Sequence, residues 1–295
     1  MSEFIEVYVV NAFVADNKGG NPAGVVLNSA HLTAKQMQSI AKELGHSETA
    51  FVSPSKKADF RVRFFTPTNE VDFCGHATVG TFSTLFKNGK IEAGDYKQET
   101  GAGVLGVSVS PEGRISMEQT LPKFGKEFAA DELASMLGLT VEDILATGLP
   151  VKAVSTGLFD IIVPVTDEAV LNKVSPDFAA IKKFNKATKT GAVHVFSLTP
   201  AESDISARCR NFAPLLGINE ESATGSAAGA LASYLHVYQG GGKYRYLFEQ
   251  GENLNRRSLI WASVEPDGDD ITQVSVGGFS DKPQRIPFRI EEATE

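Results

Sequence analysis

Residues 61–67 read Arg-Val-Arg-Phe-Phe-Thr-Pro and residues 208–214 read Arg-Cys-Arg-Asn-Phe-Ala-Pro, two copies of the pattern R-x-R-x-F-x-P. The offset is 208 minus 61, or 147 residues, half of the 295-residue chain. Each copy runs through a short polar loop into a small-residue segment opened by glycine. That segment is Cys74-Gly75-His76-Ala77-Thr78 in one half and Thr224-Gly225-Ser226-Ala227-Ala228 in the other. Two matches in the same order imply a tandem duplication.

Working outward, the stretches Ala77 to Phe86 and Ala227 to Leu235 carry no charge on any face. A helix that is apolar all round is buried all round. Asn88-Gly89 offers a left-handed stop to the first, and Thr224 is a good N-cap for the second. The surrounding chain is rich in strand-like runs, such as Ile161-Ile162-Val163, Val193 to Phe196 and Thr272 to Val276. The predicted fold class is α+β. Two pseudo-symmetric halves are expected, each a curved mixed β-sheet or barrel around a central buried helix.

Thr33 and Gln36 form a capping-box pattern ahead of Met37, Ile40, Ala41 and Leu44, the apolar period of an amphipathic helix, and Gly45 closes it. A second amphipathic helix is read over Ala130 to Leu137, after Pro122 and Gly125, so the boundary between halves falls near residue 120. The segment Gln284 to Ile290 alternates like an edge strand, where Pro287 is tolerated. The expected division is therefore 1–119 plus 283–295 for the N-terminal half and 120–282 for the C-terminal half.

Composition narrows the function classes. Hydrophobic content of 42% and charged content of 22% exclude a disordered chain. A net charge of -8 removes the electrostatic footprint that nucleic-acid binding needs, so no nucleic-acid partner is expected. No stretch approaches the roughly 20 apolar residues of a membrane span. The start Met1 to Glu6 has neither the basic start nor the apolar run of a secretory signal, so a cytoplasmic protein with no membrane partner is expected. Two cysteines, Cys74 and Cys209, cannot make a disulfide framework and are read as free thiols.

Several motifs compete for the chemistry. Gly101 to Gly106 satisfies G-x-G-x-x-G, but a strand and a turn follow it instead of the helix that a dinucleotide site requires. Gly240-Gly241-Gly242-Lys243 has Tyr244 where a phosphate loop needs Ser or Thr, and reads as a loop. Cys74-x-His76 supplies two metal donors that are expected to leave a helix start in different directions, with no second Cys/His pair, so no metal site is expected. As a thiol base Cys74 lacks a twin, because the second copy has Thr224. Its bland role is to fill space.

The two helix starts explain more residues. First turns at Gly75-His76 and Gly225-Ser226 would present unpaired backbone N–H groups, and glycine lets a ligand approach closely. If the halves face each other, both ends serve one carboxylate site. Glu48, in Ser47-Glu48-Thr49-Ala50-Phe51-Val52, stands at the mouth of an apolar strand. Partial burial there is the circumstance that tunes a carboxyl for proton transfer, with His76 as its natural partner.

Together, Asn21-Pro22-Ala23 after Gly19-Gly20, Ser47 to Phe51, Arg63 to Pro67, Cys74 to Thr78 and Ala223 to Ala227 resemble the phenazine-biosynthesis PhzF-like family, which shares the diaminopimelate epimerase fold. The resemblance runs in order along nearly the whole chain. It implies a homodimeric, cofactor-free isomerase whose glutamate, here Glu48, moves a proton on an unsaturated cyclic amino-hydroxy acid, trans-2,3-dihydro-3-hydroxyanthranilate. His76 and Ser226 match the family's supporting His and Ser. Glu221, in Glu220-Glu221-Ser222, stands where the family usually has the Asp of Glu-Asp-Pro, a departure that bears on the substrate. The expected catalytic set is Glu48, His76, Glu221 and Ser226. The expected substrate-binding set is Gly75, His76, Thr224, Gly225 and Ser226, with a small carboxylate as ligand. Two other readings stay open: a small-carboxylate-binding protein without catalysis, and an amino-acid epimerase or racemase using Cys74.

Overall fold

The computed structural model describes residues 3–240, 242, 244–268 and 270–290. Met1 and Ser2 of the N-terminal reading, Gly241 and Lys243 of the triglycine motif, and residues 291–295 of the N-terminal half lie outside these. The chain separates into two compact units, Met1–Glu118 with Gly277–Glu295, and Gln119–Val276.

In the first unit, β1 (Glu3–Ala12) pairs antiparallel with β2 (Asn21–Val26). Helix α1 (Ala34–Leu44) then crosses over to β3 (Glu48–Ser53), which lies parallel to β2. Strand β3 pairs antiparallel with β4 (Phe60–Phe65), and β4 with the short β5 (Glu70–Val71). Helix α2 (Gly75–Lys87) leads to β6 (Gly94–Thr100), parallel to β4. Two more antiparallel strands, β7 (Gly103–Val109) and β8 (Ile115–Glu118), follow.

The second unit repeats this plan. After β9 (Lys123–Phe128), α3 (Ala130–Leu137) and α4 (Glu142–Leu145), an antiparallel pair forms from β10 (Val151–Ser155) and β11 (Phe159–Val165). Helices α5 (Glu168–Lys173) and α6 (Phe178–Thr188) cross to β12 (Ala192–Leu198), parallel to β11. Next come β13 (Ala207–Ala213), antiparallel to β12, and β14 (Ile218–Glu221). Helix α7 (Gly225–Tyr238) leads to β15 (Arg245–Gln250), parallel to β13, and β16 (Ser258–Asp267) pairs with β15. Strand β17 (Asp270–Gly278) runs back to the first unit, where β18 (Gln284–Ile290) pairs antiparallel with β1. The α+β class with two pseudo-symmetric halves is what the sequence predicts.

The central helices are enclosed as their composition requires. Every residue from His76 to Leu85 is buried, as is every residue from Ala227 to His236. Buried hydroxyls must find acceptors, and Thr78, Thr81 and Thr84 donate to the carbonyls of Cys74, Ala77 and Gly80 at 2.9, 2.7 and 2.7 Å. Gly80 lets α2 lie close on β1, since a Cβ there would stand 2.8 Å from Val10 Cγ1. Gly89, at φ 65°, ends α2 in the left-handed region as expected. The α1 capping box forms, with Thr33 N donating to Gln36 Oε1 at 2.9 Å and Gln36 N to Thr33 Oγ1 at 3.3 Å.

Three details differ from the sequence reading. The return to the first unit falls at Gly277, inside a strand, and not in the loop before 283. A Cβ at Gly277 would stand 2.3 Å from the Ile115 carbonyl, so the close strand approach is already made there. Helices α5 and α6 were not anticipated. Thr224 occupies the N-cap position but makes no side-chain cap bond. As expected, the G-x-G-x-x-G stretch leads into a strand, the β6–β7 hairpin with Thr100 opposite Gly103, and not into a helix. Cys74 and Cys209 are buried thiols outside any disulfide. Among the described residues no helix is long and apolar enough to cross a membrane.

Candidate active site

Glu48 opens β3 directly after α1 ends at Gly45. The next four residues of that strand are buried and fix its position, leaving the Glu48 side chain 16% exposed. Glu48 Oε2 lies 3.3 Å from His76 Nε2. The same oxygen is enclosed and has no hydrogen-bond partner among the described residues. The approach to His76 is close in distance but outside hydrogen-bond geometry. Ser47 Oγ stands 3.2 Å from His76 Nε2, and Cys74 Sγ 3.4 Å from His76 Nδ1. The imidazole therefore sits between a hydroxyl and a carboxylate on one side and a thiol on the other.

Cys74 and His76 do not diverge as expected. Sγ, a ring nitrogen and a Glu48 oxygen all lie within 4.8 Å of one another. The cause is local: Cys74 is extended (φ -145°, ψ 120°) while the helix begins one residue later, which folds the thiol back over the first turn. Such a set could hold a soft divalent cation. Cys74 also packs with Ala23, Ala50, Phe64 and Ala77, so it fills space as well.

Neither central helix has a side-chain cap at its N-terminus. The first-turn N–H groups of an α-helix have no intrahelical partner and favour anions. At α2 these are the groups beginning at Gly75 and His76, beside Glu48.

In the second unit, Glu221, Thr224, Gly225 and Ser226 come together at the start of α7. Thr224 Oγ1 donates to Glu221 Oε2 at 2.6 Å, which is why it does not cap the helix. Gln250 Nε2 donates to the Glu221 carbonyl at 2.7 Å and to Thr224 Oγ1 at 3.1 Å, while Thr224 N donates to Gln250 Oε1 at 3.3 Å. Thr156 Oγ1 donates to the Ser226 carbonyl at 3.0 Å.

The duplicated motif builds one device twice. Arg63 grips Glu70 with two bonds of 2.7 Å, and Arg210 grips Glu220 with two of 2.9 Å. Each guanidinium also lies over the phenylalanine two residues on, Phe65 at 5.1 Å and Phe212 at 5.0 Å. These pairs brace the β4–β5 and β13–β14 turns that lead into the central helices.

Sequence reading missed Asp160. It is 1% exposed, and burial, with the Glu221 charge adding to it, pushes its carboxyl up to about 7 against a bond from the Ala192 backbone. The signal was an isolated acid in the run Phe159-Asp160-Ile161-Ile162-Val163. His194 was missed too. Burial pushes its imidazole down to about 4, so it is neutral, and its Nδ1 lies 3.1 Å from Asn211 Oδ1.

The profile of the PhzC-PhzF family, phenazine biosynthesis-like proteins, matches residues 10–281. The chain belongs to that family. A relative from Clostridium acetobutylicum, an uncharacterized isomerase, is 35% identical over 92% of this chain and 94% of its own. The trans-2,3-dihydro-3-hydroxyanthranilate isomerase of Pseudomonas chlororaphis is 31% identical over 92% of this chain and 94% of its own. A solved PhzF-family structure from Bacillus anthracis is 32% identical, with a TM-score of 0.87 over 96% of this chain and 99% of that one. A hydroxyproline epimerase from Agrobacterium vitis shares the fold alone, at 11% identity and a TM-score of 0.60 over 97% of this chain and 92% of that one. The protein is thus an enzyme of the isomerase class, which sets aside the reading as a binding protein without catalysis.

Proposed function

We propose that this isomerase moves a proton on a small cyclic or unsaturated carboxylic acid bearing amino or hydroxyl groups, with Glu48 as the general acid and base and no cofactor. The observation that carries the proposal is the enclosed Glu48 Oε2, left without a hydrogen bond among the described residues, beside His76 at an uncapped helix start. A buried polar atom without a partner requires an explanation. A proton-transfer atom has one, because a bond within the protein would compete with the substrate proton. His76 supports Glu48, and the N–H groups at Gly75 favour the substrate carboxylate. The second unit's Glu221, Thr224, Gly225 and Ser226 are assigned to orienting the substrate's polar substituents, on the strength of the duplicated motif. The Pseudomonas relative's substrate is the natural first candidate. A homodimer in the cytoplasm belongs to the same proposal.

The test is proton exchange in deuterated water, followed by NMR on unsaturated amino-hydroxy acids, with the wild type and Glu48→Gln compared. Deuterium should enter a substrate carbon only in the wild type. Equal incorporation by Glu48→Gln would sink the mechanism.

A further inference from the structure

The Cys74-x-His76 motif carries a chemistry that proton transfer does not use. Among the described residues, side chains of three donor types converge at one place: the Cys74 thiol, the His76 imidazole and the Glu48 carboxylate, with donor atoms all within 4.8 Å of one another. Glu48 Oε2 stands 3.3 Å from His76 Nε2. Cys74 Sγ stands 3.4 Å from Nδ1 of the same ring and 4.0 Å from Nε2. Ser47 Oγ lies 3.2 Å from Nε2. All of these residues belong to the first unit, Ser47 and Glu48 at the start of β3 and Cys74 and His76 at the start of α2.

A four-coordinate cation asks for such a spacing. With bonds of about 2.3 Å to sulfur and about 2.0–2.2 Å to nitrogen and oxygen, neighbouring donors on a tetrahedral zinc stand roughly 3.3–3.6 Å apart. The carboxylate and Nε2 are already at that distance, and Sγ has to swing inward by about half an ångström to one ångström. Rotation of the thiol about its Cα–Cβ bond covers that movement. A thiolate and a carboxylate around a neutral imidazole bring two negative charges to a divalent ion. Sulfur and imidazole together favour zinc-like ions, whereas magnesium and calcium prefer all-oxygen sites. Glu48 Oε2, enclosed and without a hydrogen bond among the described residues, has its lone pairs to give.

We propose that Glu48, Cys74 and His76 form a binding site for a soft divalent cation of the zinc class, and that the bound ion reversibly shuts the isomerase off. As the metal–sulfur bond forms, Cys74 gives its S–H proton to solvent. The carboxylate and the imidazole each donate a lone pair, and nothing is oxidised or reduced. Ser47 Oγ or a water completes four-coordination. The ion then holds the oxygen that proton transfer needs, so metal and substrate exclude each other. The cation is an inhibitor and not a cofactor. Its inhibitory effect rests on the role given to Glu48 above; the site itself rests on the three donors alone.

The test is a titration of reduced, chelator-treated protein with cobalt(II), a spectroscopic stand-in for zinc, without substrate. The wild type should develop a near-ultraviolet thiolate-to-cobalt charge-transfer band and the intense visible bands of a four-coordinate ion, erased by added zinc and untouched by excess magnesium. Cys74→Ala should lose the charge-transfer band, and Cys209→Ala, which leaves the three donors in place, should keep it, so the assignment stands even if one variant does not fold. Glu48→Gln should weaken cobalt binding by at least about tenfold, the lower end of what losing even a metal site's supporting groups costs. No charge-transfer band in the wild type, a band that survives in Cys74→Ala, or unchanged affinity in Glu48→Gln would overturn the site. Saturating zinc should also stop deuterium incorporation by the wild type, a chelator should restore it, and Cys74→Ala should be slowed far less relative to its own metal-free rate. Full incorporation with zinc bound would overturn the inhibitory role. Because the spectra use no substrate, failure of the metal site and failure of the Glu48 mechanism are told apart.

Discussion

Replacing Arg210 by Ala should cost far more stability than the same change at Arg63, although the two residues perform the same local task. Both are bidentate to a glutamate and both stack on a phenylalanine at nearly equal distance, so the stacking contribution, about 0.5–2 kcal/mol, cancels in the comparison. What differs is solvent. The Arg63–Glu70 side chains are 24% and 43% exposed, and such a pair is worth roughly 0–1 kcal/mol. Those of Arg210–Glu220 are 9% and 12% exposed, and Arg210 Nη1 also donates to the carbonyls of Leu171 and Val174 at 3.3 and 2.7 Å. Breaking a buried pair costs about 3–5 kcal/mol, because the abandoned carboxylate and carbonyls stay desolvated. The expected difference is therefore about 2–5 kcal/mol, a large share of the roughly 5–15 kcal/mol that holds a native protein together. Urea unfolding measures it, with Trp261 fluorescence reporting the second unit and far-UV circular dichroism the whole chain. Arg210→Met with Glu220→Met should recover much of the loss. Equal losses at Arg63 and Arg210, or a double variant as unstable as the single, would refute the reasoning.

Asp160 has a raised pKa in the folded state, so the stability it allows is complete below the unfolded value of 3.8 and falls as pH rises to about 7. The interval is 7 minus 3.8, or 3.2 units, which at about 1.4 kcal/mol per unit sets an upper bound of about 4 kcal/mol. Asp160→Asn should flatten that part of the melting-temperature profile relative to the wild type; parallel profiles would contradict it. Thr224→Val removes a 2.6 Å bond to a carboxylate, a contribution of roughly 1.5–3 kcal/mol, and should raise KM about tenfold or more while the fold persists, as steady-state kinetics and circular dichroism would show. Burial pushes the Cys209 thiol well up, so alkylation followed by peptide mass spectrometry should modify Cys74 first and Cys209 only on unfolding. Cys74→Ala should keep turnover, and its loss would favour the epimerase reading that uses this thiol.

The duplication, the two enclosed helices and the α1 boundaries were legible because each rests on a local pattern: a repeated motif, an uncharged segment, a capping box ending at glycine. Glu48 and His76 could be named singly, but their approach is set by strand register and an extended Cys74, which no spacing rule encodes. The same limit hid the Thr224 hydroxyl, whose choice between the helix N-terminus and Glu221 depends on where β14 ends. Asp160 escaped because its burial is set by the strands and helix packed around it, which a lone acid in an apolar run does not reveal. Helices α5 and α6 were more accessible. Asp167 and Asp177 accept first-turn N–H bonds at about 3 Å, and Asp177 stands directly before Phe178-Ala179-Ala180-Ile181, an N-cap signature visible in the sequence.

The pairing of β1 with β18 sets an order of events during translation. Val7 meets Ile286 only after the whole inserted unit, 276 minus 119 plus 1, or 158 residues, has left the ribosome. Until then one side of β1 is an unpaired edge, open to other nascent chains. The inserted unit, continuous in sequence, can complete its folding while the first unit waits. Slow or interrupted synthesis of this protein should therefore leave a finished second unit joined to an open first one, a species prone to aggregate through β1.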